Sequence, residues 1–364
     1  MKRSYFEEWL FYVLAWTLLT LAFSFATLVT MRYFINFFEL NHILESNKLA
    51  EYMVSDYQIL EGIIFGVSFG TFFFIINLII DTTDIHKMPF GTVIFLKSLM
   101  YTIAVIIVFL IVYFIISIIN IYPFPKLDQE TLLEMVTPEL IFFFATFFVF
   151  ATILINFLSQ INKKFGPGNL LNMFLGIYHR PRIEDRIFLF IDLKDSTAIA
   201  EKLGHIKYSR LIQSFFMDLN YILPRYRGEI YQYVGDEAVI TWRKRIGLKN
   251  LKCVRFYYAF KNRIERRSGY YNRKYDCVPE FKAGINMGEV TAAEIGVLKR
   301  EIAYHGDVIN TASRIQELCN DFGKSLLATE AIVKFLPQKE FEVQLLGEKL
   351  LKGKKHLEKI FSIG

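Results

Sequence analysis

Two aspartates in this chain have the surroundings expected of metal ligands. Asp192 stands in residues 190–197 (FIDLKDST) and Asp236 in residues 233–237 (YVGDE). Mg²⁺ and Mn²⁺ prefer carboxylate oxygens, and phosphate oxygens can complete the coordination of such ions. The pair therefore predicts a site for two divalent metal ions that bridge a nucleoside triphosphate.

The elements that must position these aspartates alternate between strand and helix patterns. The apolar run 187–191 predicts a buried strand that ends at Asp192, and a helix begins at 196, where Ser and Thr can cap it. Two further strands, 229–234 and 238–242, are joined by the turn that carries Asp236. The remaining predicted elements are helix 211–223, a basic helical stretch to 267, strands near 281–286 and 290–295, helix 307–319, and closing strands 341–346 and 358–363.

Composition divides the chain into two parts. Residues 1–165 carry nine Lys/Arg against thirteen Asp/Glu, a net charge of −4, and residues 166–364 carry thirty-three against twenty-three, a net charge of +10. A length of 364 residues is enough for two domains. The three cysteines lie in the second part without paired or metal-like spacing, which favours a reducing compartment.

Four stretches in the first part are long enough to cross a bilayer as helices, which takes about 20 apolar residues each. None contains a charged residue, so simple anchoring is favoured over sensing or transport. Basic flanks border one side and acidic loops the other, which predicts a multi-pass protein of the plasma (inner) membrane with both termini cytoplasmic. The predicted spans are 9–31, 62–80, 98–122 and 140–162.

A break and an apolar stripe follow the last predicted span. Residues 163–168 (KKFGPG) interrupt any helix that leaves the bilayer. Apolar residues then recur at helical spacing at 170, 171, 174 and 177. This stripe either packs on its own domain or forms a parallel helix pair that couples the spans to a dimer, and both interpretations stay open.

The second part resembles a known family over about residues 187–363. Residues 190–197 and 234–236 look like the first and second metal motifs of the class III adenylyl/guanylyl cyclase catalytic domain. Residues 283–288 (AGINMG) are similar to its glycine-rich strand, and residues 306–314 (GDVINTASR) to its transition-state helix. The motifs follow in the family's order. The resemblance implies an α+β fold, a ferredoxin-like sandwich of a mostly antiparallel sheet with covering helices, preceded by the four-helix transmembrane domain.

The apolar pattern and the resemblance together predict three regions, and the resemblance implies a set of metal ligands. The transmembrane domain would cover 1–164, a helical linker 165–182 and the catalytic domain 183–364. Asp192 and Asp236 would bind two Mg²⁺ or Mn²⁺ ions per active site. Ile191 would add a backbone carbonyl ligand.

Further residues receive roles at the substrate. Arg314 would neutralise charge on the α phosphate, for which a guanidinium fork is well suited. Asn310 lies one helical turn earlier and would orient the ribose. Lys352 would pair with the β and γ phosphates. The alternative is that Lys352 is one of the solvated charges of the lysine-rich run 349–359. The resemblance also places Thr197 and Asp307 among the substrate contacts.

In this family one subunit provides the residues that bind the metal ions, and its partner provides the Asn and Arg. One chain here carries both sets. A homodimer with two equivalent sites is therefore expected.

The chain departs from the family where the purine base is read. Family adenylyl cyclases usually place a Lys and an Asp or Thr at the positions of Gln232 and Ala303. A Gln amide can pair with either purine, and Ala303 offers no polar group. We expect ATP as substrate, with GTP possible, because the acidic residue and Cys common in guanylyl cyclases are also absent.

The functional expectation is a membrane-anchored cyclase that converts ATP to 3′,5′-cyclic AMP and pyrophosphate. The alternatives are a guanylyl cyclase, a diguanylate cyclase, which leaves the 310–314 motif unexplained, and an inactive membrane receptor. The run 243–274 holds twelve Lys/Arg and one acid. It is interpreted as a solvated helix face or a contact with lipid headgroups, and no nucleic acid is expected as a partner.

Overall fold

The computed structural model describes residues 2–38, 54–81, 88–119, 138–165, 172–173, 175–298, 300–337 and 339–364. The chain divides into two compact units, one of residues Lys2–Lys164 and one of Phe165–Gly364.

The first unit consists of long apolar helices. Three of them contain segments long and apolar enough to cross a membrane: Glu8–Phe37, Tyr57–Ile80 and Gly91–Val108. In the fourth helix the apolar stretch Ala145–Ile161 is shorter. Membrane association is thus supported, and the fourth span stays a prediction. The helices are α1 (Lys2–Phe37), α2 (Tyr57–Asp81), α3 (Phe90–Ile119) and α4 (Pro138–Phe165).

The candidate spans do include charged residues, which corrects the sequence prediction. The helices extend beyond the predicted limits and so contain Glu8, Arg32, Glu61 and Lys97. The buried ammonium of Lys97 donates to Asn77 Oδ1 at 2.6 Å, and Asn77 Nδ2 donates to Glu8 Oε1 at 2.6 Å. A charged side chain within a membrane helix is tolerated when such partners surround it.

Helices α1 and α2 pack at close range along three glycines. A Cβ on Gly66 would lie 2.4 Å from Thr17 Cα, and one on Gly70 would lie 2.4 Å from Val13 Cα. Gly62 similarly faces Ser24. Small residues four apart allow two membrane helices to approach closely. The spacing of these glycines, at 62, 66 and 70, is a feature of the sequence.

The second unit is an eight-stranded mixed sheet with helices on it. Its elements are β1 (Arg182–Leu193), α5 (Ser196–Tyr226), β2 (Glu229–Val234), β3 (Glu237–Arg243), α6 (Lys244–Leu248), a 3₁₀ turn (Lys249–Leu251), α7 (Lys252–Arg266), α8 (Ser268–Tyr275), β4 (Phe281–Ile295), β5 (Glu301–His305), α9 (Asp307–Glu317), α10 (Cys319–Phe322), β6 (Leu326–Thr329), α11 (Glu330–Val333), β7 (Val343–Lys349) and β8 (Glu358–Ile363). The strand order is β2-β3-β1-β4-β6-β8-β7, with β5 paired to β4. All described pairs are antiparallel except β4 with β6, so the predicted mostly antiparallel α+β fold is confirmed.

Strand β1 is buried on both faces, which explains its continuous apolar run. Ile187, Leu189 and Ile191 face a core formed with α5 and α7. Phe188 and Phe190 face a second cluster with Ala312 of α9 and Tyr304 of β5. Since side chains alternate along a strand, Asp192 is on the same face as Phe190, toward α9.

The predicted linker, 165–182, lies mostly outside the described residues, including positions 170, 171 and 174 of its apolar stripe. Of the described part, residues 175–178 form a turn. Tyr178 is buried in the cluster around Phe188, and its hydroxyl donates to Glu184 Oε1 at 2.9 Å. The segment just before β1 therefore packs on its own domain.

Glycine 284 sets the distance between α9 and the sheet. A Cβ at this position would lie 2.4 Å from Gln316 N and 2.5 Å from Ala312 O, both backbone atoms of α9. We expect Gly284→Ala to lower the free energy of unfolding by about 1–3 kcal/mol, because the helix must move outward. The control is Gly269→Ala, where the nearest atom is Arg273 Nη1 at 3.8 Å. Equal denaturation midpoints for both variants in full-length protein would contradict this packing.

Candidate active site

The two aspartates lie at the same end of the sheet. Asp192 ends the apolar run of β1, and the β1–β3 register pairs Ile191 with Ala238. Asp236 occupies the tight turn just before β3, next to Gly235, whose φ of 62° suits a residue without a side chain. The register therefore brings both carboxylates to one edge, as the sequence predicts.

Negative charge is concentrated at this edge. Burial and the neighbouring Asp236 raise the pKa of Asp192 above its ordinary value. Burial, followed by the charges of Asp192 and Asp236, raises the pKa of Glu237 to about 7. The Oδ2 atom of Asp236 is buried, and within the described part of the chain it has no hydrogen-bond partner. A bound hard cation would reduce the repulsion between these clustered carboxylates and would supply a partner for the unbonded Asp236 oxygen.

The side chains alone do not form a complete metal cage. Among the described residues, no group of three or more His, Cys, Asp or Glu side chains has the arrangement of a metal site. Ile191, the predicted backbone ligand, is buried in β1 next to Asp192. The edge thus offers two carboxylates, and a metal ion there needs further oxygens such as those of a triphosphate.

Helix α9 presents two different faces. Gln316 is buried, and its Nε2 donates to Asp192 Oδ2 at 3.2 Å. Arg314 lies about 160° around the helix axis from Gln316, given about 100° per residue. Asn310, one turn before Arg314, is exposed. The predicted Asn310–Arg314 pair is therefore on one face of α9, turned away from the Asp192 of the same chain.

The predicted phosphate-binding lysine lies near Arg314. Lys352 is exposed, and a Cβ on the next residue, Gly353, would be 3.6 Å from an Arg314 guanidinium nitrogen. Neighbouring Lys354 is instead engaged in ion pairs with Asp307 Oδ2, at 2.9 Å, and with Glu358. The residue after Lys352 thus lies close to Arg314.

The other predicted substrate contacts are spread over three elements. Thr197 is exposed in the first turn of α5, and Asp307 begins α9. Gln232 is exposed on β2, while Ala303 is buried on β5. The segments of Gln232 and Ala303 meet through their chain neighbours Tyr231 and Tyr304, whose ring centroids are 5.1 Å apart.

Three residues near the aspartates were not predicted from the sequence: Glu237, Lys282 and Gln316. Lys282 is directly opposite Asp192 in the β1–β4 register, and its Nζ lies 3.4 Å from Asp192 Oδ2. Gln316 comes two residues after Arg314 on the inner side of α9. A strand pairing derived from the two motifs could have indicated Lys282, whereas Gln316 depends on how α9 packs.

Comparison with known proteins agrees with this geometry. Residues 179–363 match the model of the adenylate and guanylate cyclase catalytic domain, which is half of the chain. The chain therefore belongs to the adenylate and guanylate cyclase catalytic domain family. The class III resemblance expected from the motifs is confirmed.

Individual relatives are similar over the same half. Adenylate cyclase 2 of Rhizobium meliloti (strain 1021) is 33% identical over 199 residues, which are 54% of this chain and 55% of the relative. Adenylate cyclase 1 of the same strain is 25% identical over 150 residues, covering 40% and 22%. The chain thus spans about half or less of these relatives.

One solved structure shares the fold. A bacterial light-regulated adenylyl cyclase matches with a TM-score of 0.52 and 17% identity, covering 64% of this chain and 66% of that chain.

Proposed function

We propose that this protein is a membrane-anchored adenylyl cyclase that converts ATP to 3′,5′-cyclic AMP and pyrophosphate. The observation that carries the proposal is the paired Asp192 and Asp236 at one sheet edge, within a domain of the cyclase family. Two relatives carry the name adenylate cyclase. The apolar helices would supply the anchor. We place this anchor in the plasma (inner) membrane with both termini cytoplasmic, because basic flanks border one side of the predicted spans.

Asp192, Asp236 and the Ile191 carbonyl would hold two Mg²⁺ or Mn²⁺ ions, which supply activation of the ribose 3′ hydroxyl and charge neutralisation at the phosphates. The 3′ hydroxyl loses its proton to solvent and its oxygen forms a bond to the α phosphorus, while the bond from that phosphorus to the oxygen bridging the α and β phosphorus atoms breaks to release pyrophosphate. Arg314 would balance charge on the α phosphate, and Asn310 would orient the ribose. Lys352 would bind the outer phosphates, with Thr197 and Asp307 as further contacts.

The two faces of α9 support a homodimer. Gln316 faces the Asp192 of its own chain, so Arg314, about 160° away, faces elsewhere. A site with both the aspartates and Arg314 then needs a second copy of the chain. The proposed dimer has two equivalent sites, each with metal ligands from one subunit and Asn310, Arg314 and Lys352 from its partner.

A guanylyl cyclase is the second candidate, because exposed Gln232 can pair with either purine and Ala303 lacks a polar group. The basic stretch 243–274 is proposed to contact anionic lipid headgroups or water, not nucleic acid. A contact with lipid fits a domain that is attached to membrane helices.

The test is product analysis of purified full-length protein with Mn²⁺ and either ATP or GTP. We expect cyclic AMP and pyrophosphate from ATP, and a modest ATP preference in catalytic efficiency. Gln232→Lys should increase that preference about tenfold or more, because an ammonium donates to adenine N1 and is opposed by the N1 hydrogen of guanine. Ala303→Asp in the same background should increase it further.

The matched control is Gln344→Lys, an exposed glutamine on β7. It should leave the ATP to GTP ratio unchanged. An unchanged ratio in all variants would show that Gln232 and Ala303 do not contact the base. Cyclic GMP as the main wild-type product would replace the adenylyl assignment with the guanylyl one.

A further inference from the structure

The Asp192 carboxylate is held by two side chains of its own subunit. Gln316 Nε2 of α9 donates to Asp192 Oδ2 at 3.2 Å, and Lys282 Nζ of β4 lies 3.4 Å from the same oxygen. Within the described part of the chain, Oδ1 receives neither a hydrogen bond nor an ion pair. One carboxylate oxygen is therefore fixed, and the other is left available.

Gln316 is itself held firmly. Its side chain is 3% exposed, and its backbone belongs to the turn of α9 that contacts Gly284 of β4. The amide is neutral at every relevant pH. Its contact with Asp192 can set the orientation of the carboxylate without changing the charge of the site.

Lys282 acts on the same oxygen by charge. Its position is fixed by the β1–β4 register, which places it directly opposite Asp192, and its side chain is 13% exposed. An ammonium at this distance attracts the carboxylate and repels an incoming cation. The two neighbours should therefore affect metal binding in opposite directions.

We propose that Gln316 is a positioning residue that presents Asp192 Oδ1 to a metal ion, and that Lys282 moderates the affinity of the same site by opposing the charge of the metal. This inference rests on the proposed two-metal function. It explains why a helix whose outer face carries Asn310 and Arg314 also reaches inward to the metal ligand. Partners that hydrogen-bond a metal-ligating carboxylate commonly alter metal affinity by about 10–100-fold when removed.

The test is Mn²⁺ titration of full-length protein in detergent, with free Mn²⁺ measured by electron paramagnetic resonance. Gln316→Met keeps the side-chain length and removes the amide, so the dissociation constant should rise about tenfold or more. Lys282→Met should lower the dissociation constant for Mn²⁺ several-fold. Lys282→Arg should leave it near the wild-type value because the positive charge is kept. The controls are Gln344→Met and Lys359→Met on exposed strand positions. They should leave Mn²⁺ binding unchanged.

A second readout separates orientation from general stability. The Mn²⁺ concentration for half-maximal product formation should rise in Gln316→Met, while the melting temperature in chelator stays near the wild-type value. Should Gln316→Met fail to fold, Gln316→Asn tests the same contact. The asparagine side chain keeps the polar amide but is too short to reach Asp192. We expect the same direction of change in Mn²⁺ affinity.

The outcomes distinguish this inference from the function on which it rests. If the wild type binds Mn²⁺ and Asp192→Asn does not, the proposed metal site stands. Unchanged or tighter binding by the folded Gln316 variant then overturns the positioning role, and unchanged or weaker binding by Lys282→Met overturns the role of Lys282. If the wild type binds no Mn²⁺, either alone or with a non-hydrolysable ATP analogue present, the two-metal function and this inference both fail.

Discussion

Asp192→Asn is expected to lower cyclase activity about a thousandfold or more and, at the same time, to stabilise the metal-free protein. The amide oxygen is a poor ligand for a hard cation, and a thousandfold loss corresponds to about 4 kcal/mol of transition-state stabilisation. Stability should rise because burial and Asp236 raise the pKa of Asp192, so its ionised form is disfavoured in the fold. Asp236→Asn should lose activity to a similar extent.

The sign of the stability change depends on pH. A carboxyl whose pKa is higher in the folded state reduces stability once the pH exceeds its unfolded value, which for Asp192 is near the ordinary 3.8. The melting temperature of Asp192→Asn in chelator should therefore exceed the wild-type value at pH 8. The difference should shrink as the pH falls below 3.8, where the carboxyl becomes protonated in the unfolded state as well.

Asp185→Asn is the matched control on the same strand. Asp185 is half-exposed and pairs with Lys244 at 3.3 Å, a surface ion pair of the kind that contributes little to stability. Activity and melting temperature should both stay near the wild-type values. Full activity in folded Asp192→Asn, with metal ion supplied, would contradict the assignment of Asp192 as a ligand.

The sequence predicts most elements of the sheet because their apolar patterns are local. The strands ending at Asp192 and flanking Asp236 are confirmed, as is the closing pair β7–β8. The prediction of separate strands at 281–286 and 290–295 is wrong, since β4 runs unbroken from Phe281 to Ile295. The strand continues through Gly288, where an added Cβ would lie 2.7 Å from the Val308 side chain.

Two strands were missed because their local signals are weak. β6 has only four residues, and its place in the sheet depends on parallel pairing with β4, a contact between distant parts of the chain. β5 is a short return strand after β4. Short strands of this kind are defined by their partners more than by their own pattern.

The candidate site shows the same division between local and tertiary information. Asp192 and Asp236 could be identified because each belongs to a short motif. Lys282 and Gln316 could not, since their contacts with Asp192 arise from strand register and from the packing of α9 on Gly284. The charged residues of the candidate spans lay outside the predicted limits because the helices extend beyond the apolar runs.

Mixing two inactive variants is expected to restore activity, and this is the sharpest test of the proposed dimer. Asp192→Asn removes the proposed metal ligand, and Arg314→Ala removes the guanidinium proposed to act at the α phosphate. If each site takes Asp192 from one subunit and Arg314 from the other, a heterodimer of the two variants has one site with both lesions and one with neither. The intact site should work at the wild-type rate.

The amount recovered is itself informative. With equal amounts and random association, half of the dimers are heterodimers and each has one working site out of two, so about a quarter of wild-type activity should return. The two variants should be co-expressed with different affinity tags and purified through both, which raises the expected value to about half. The control is a heterodimer of Asp192→Asn with the double variant Asp192→Asn/Arg314→Ala, in which both sites lack the aspartate. Because Gln316 and Arg314 lie on opposite sides of α9, a site built within one subunit would require the helix to rotate. Tagged heterodimers with no activity would indicate such a site within one subunit and would contradict the proposed dimer.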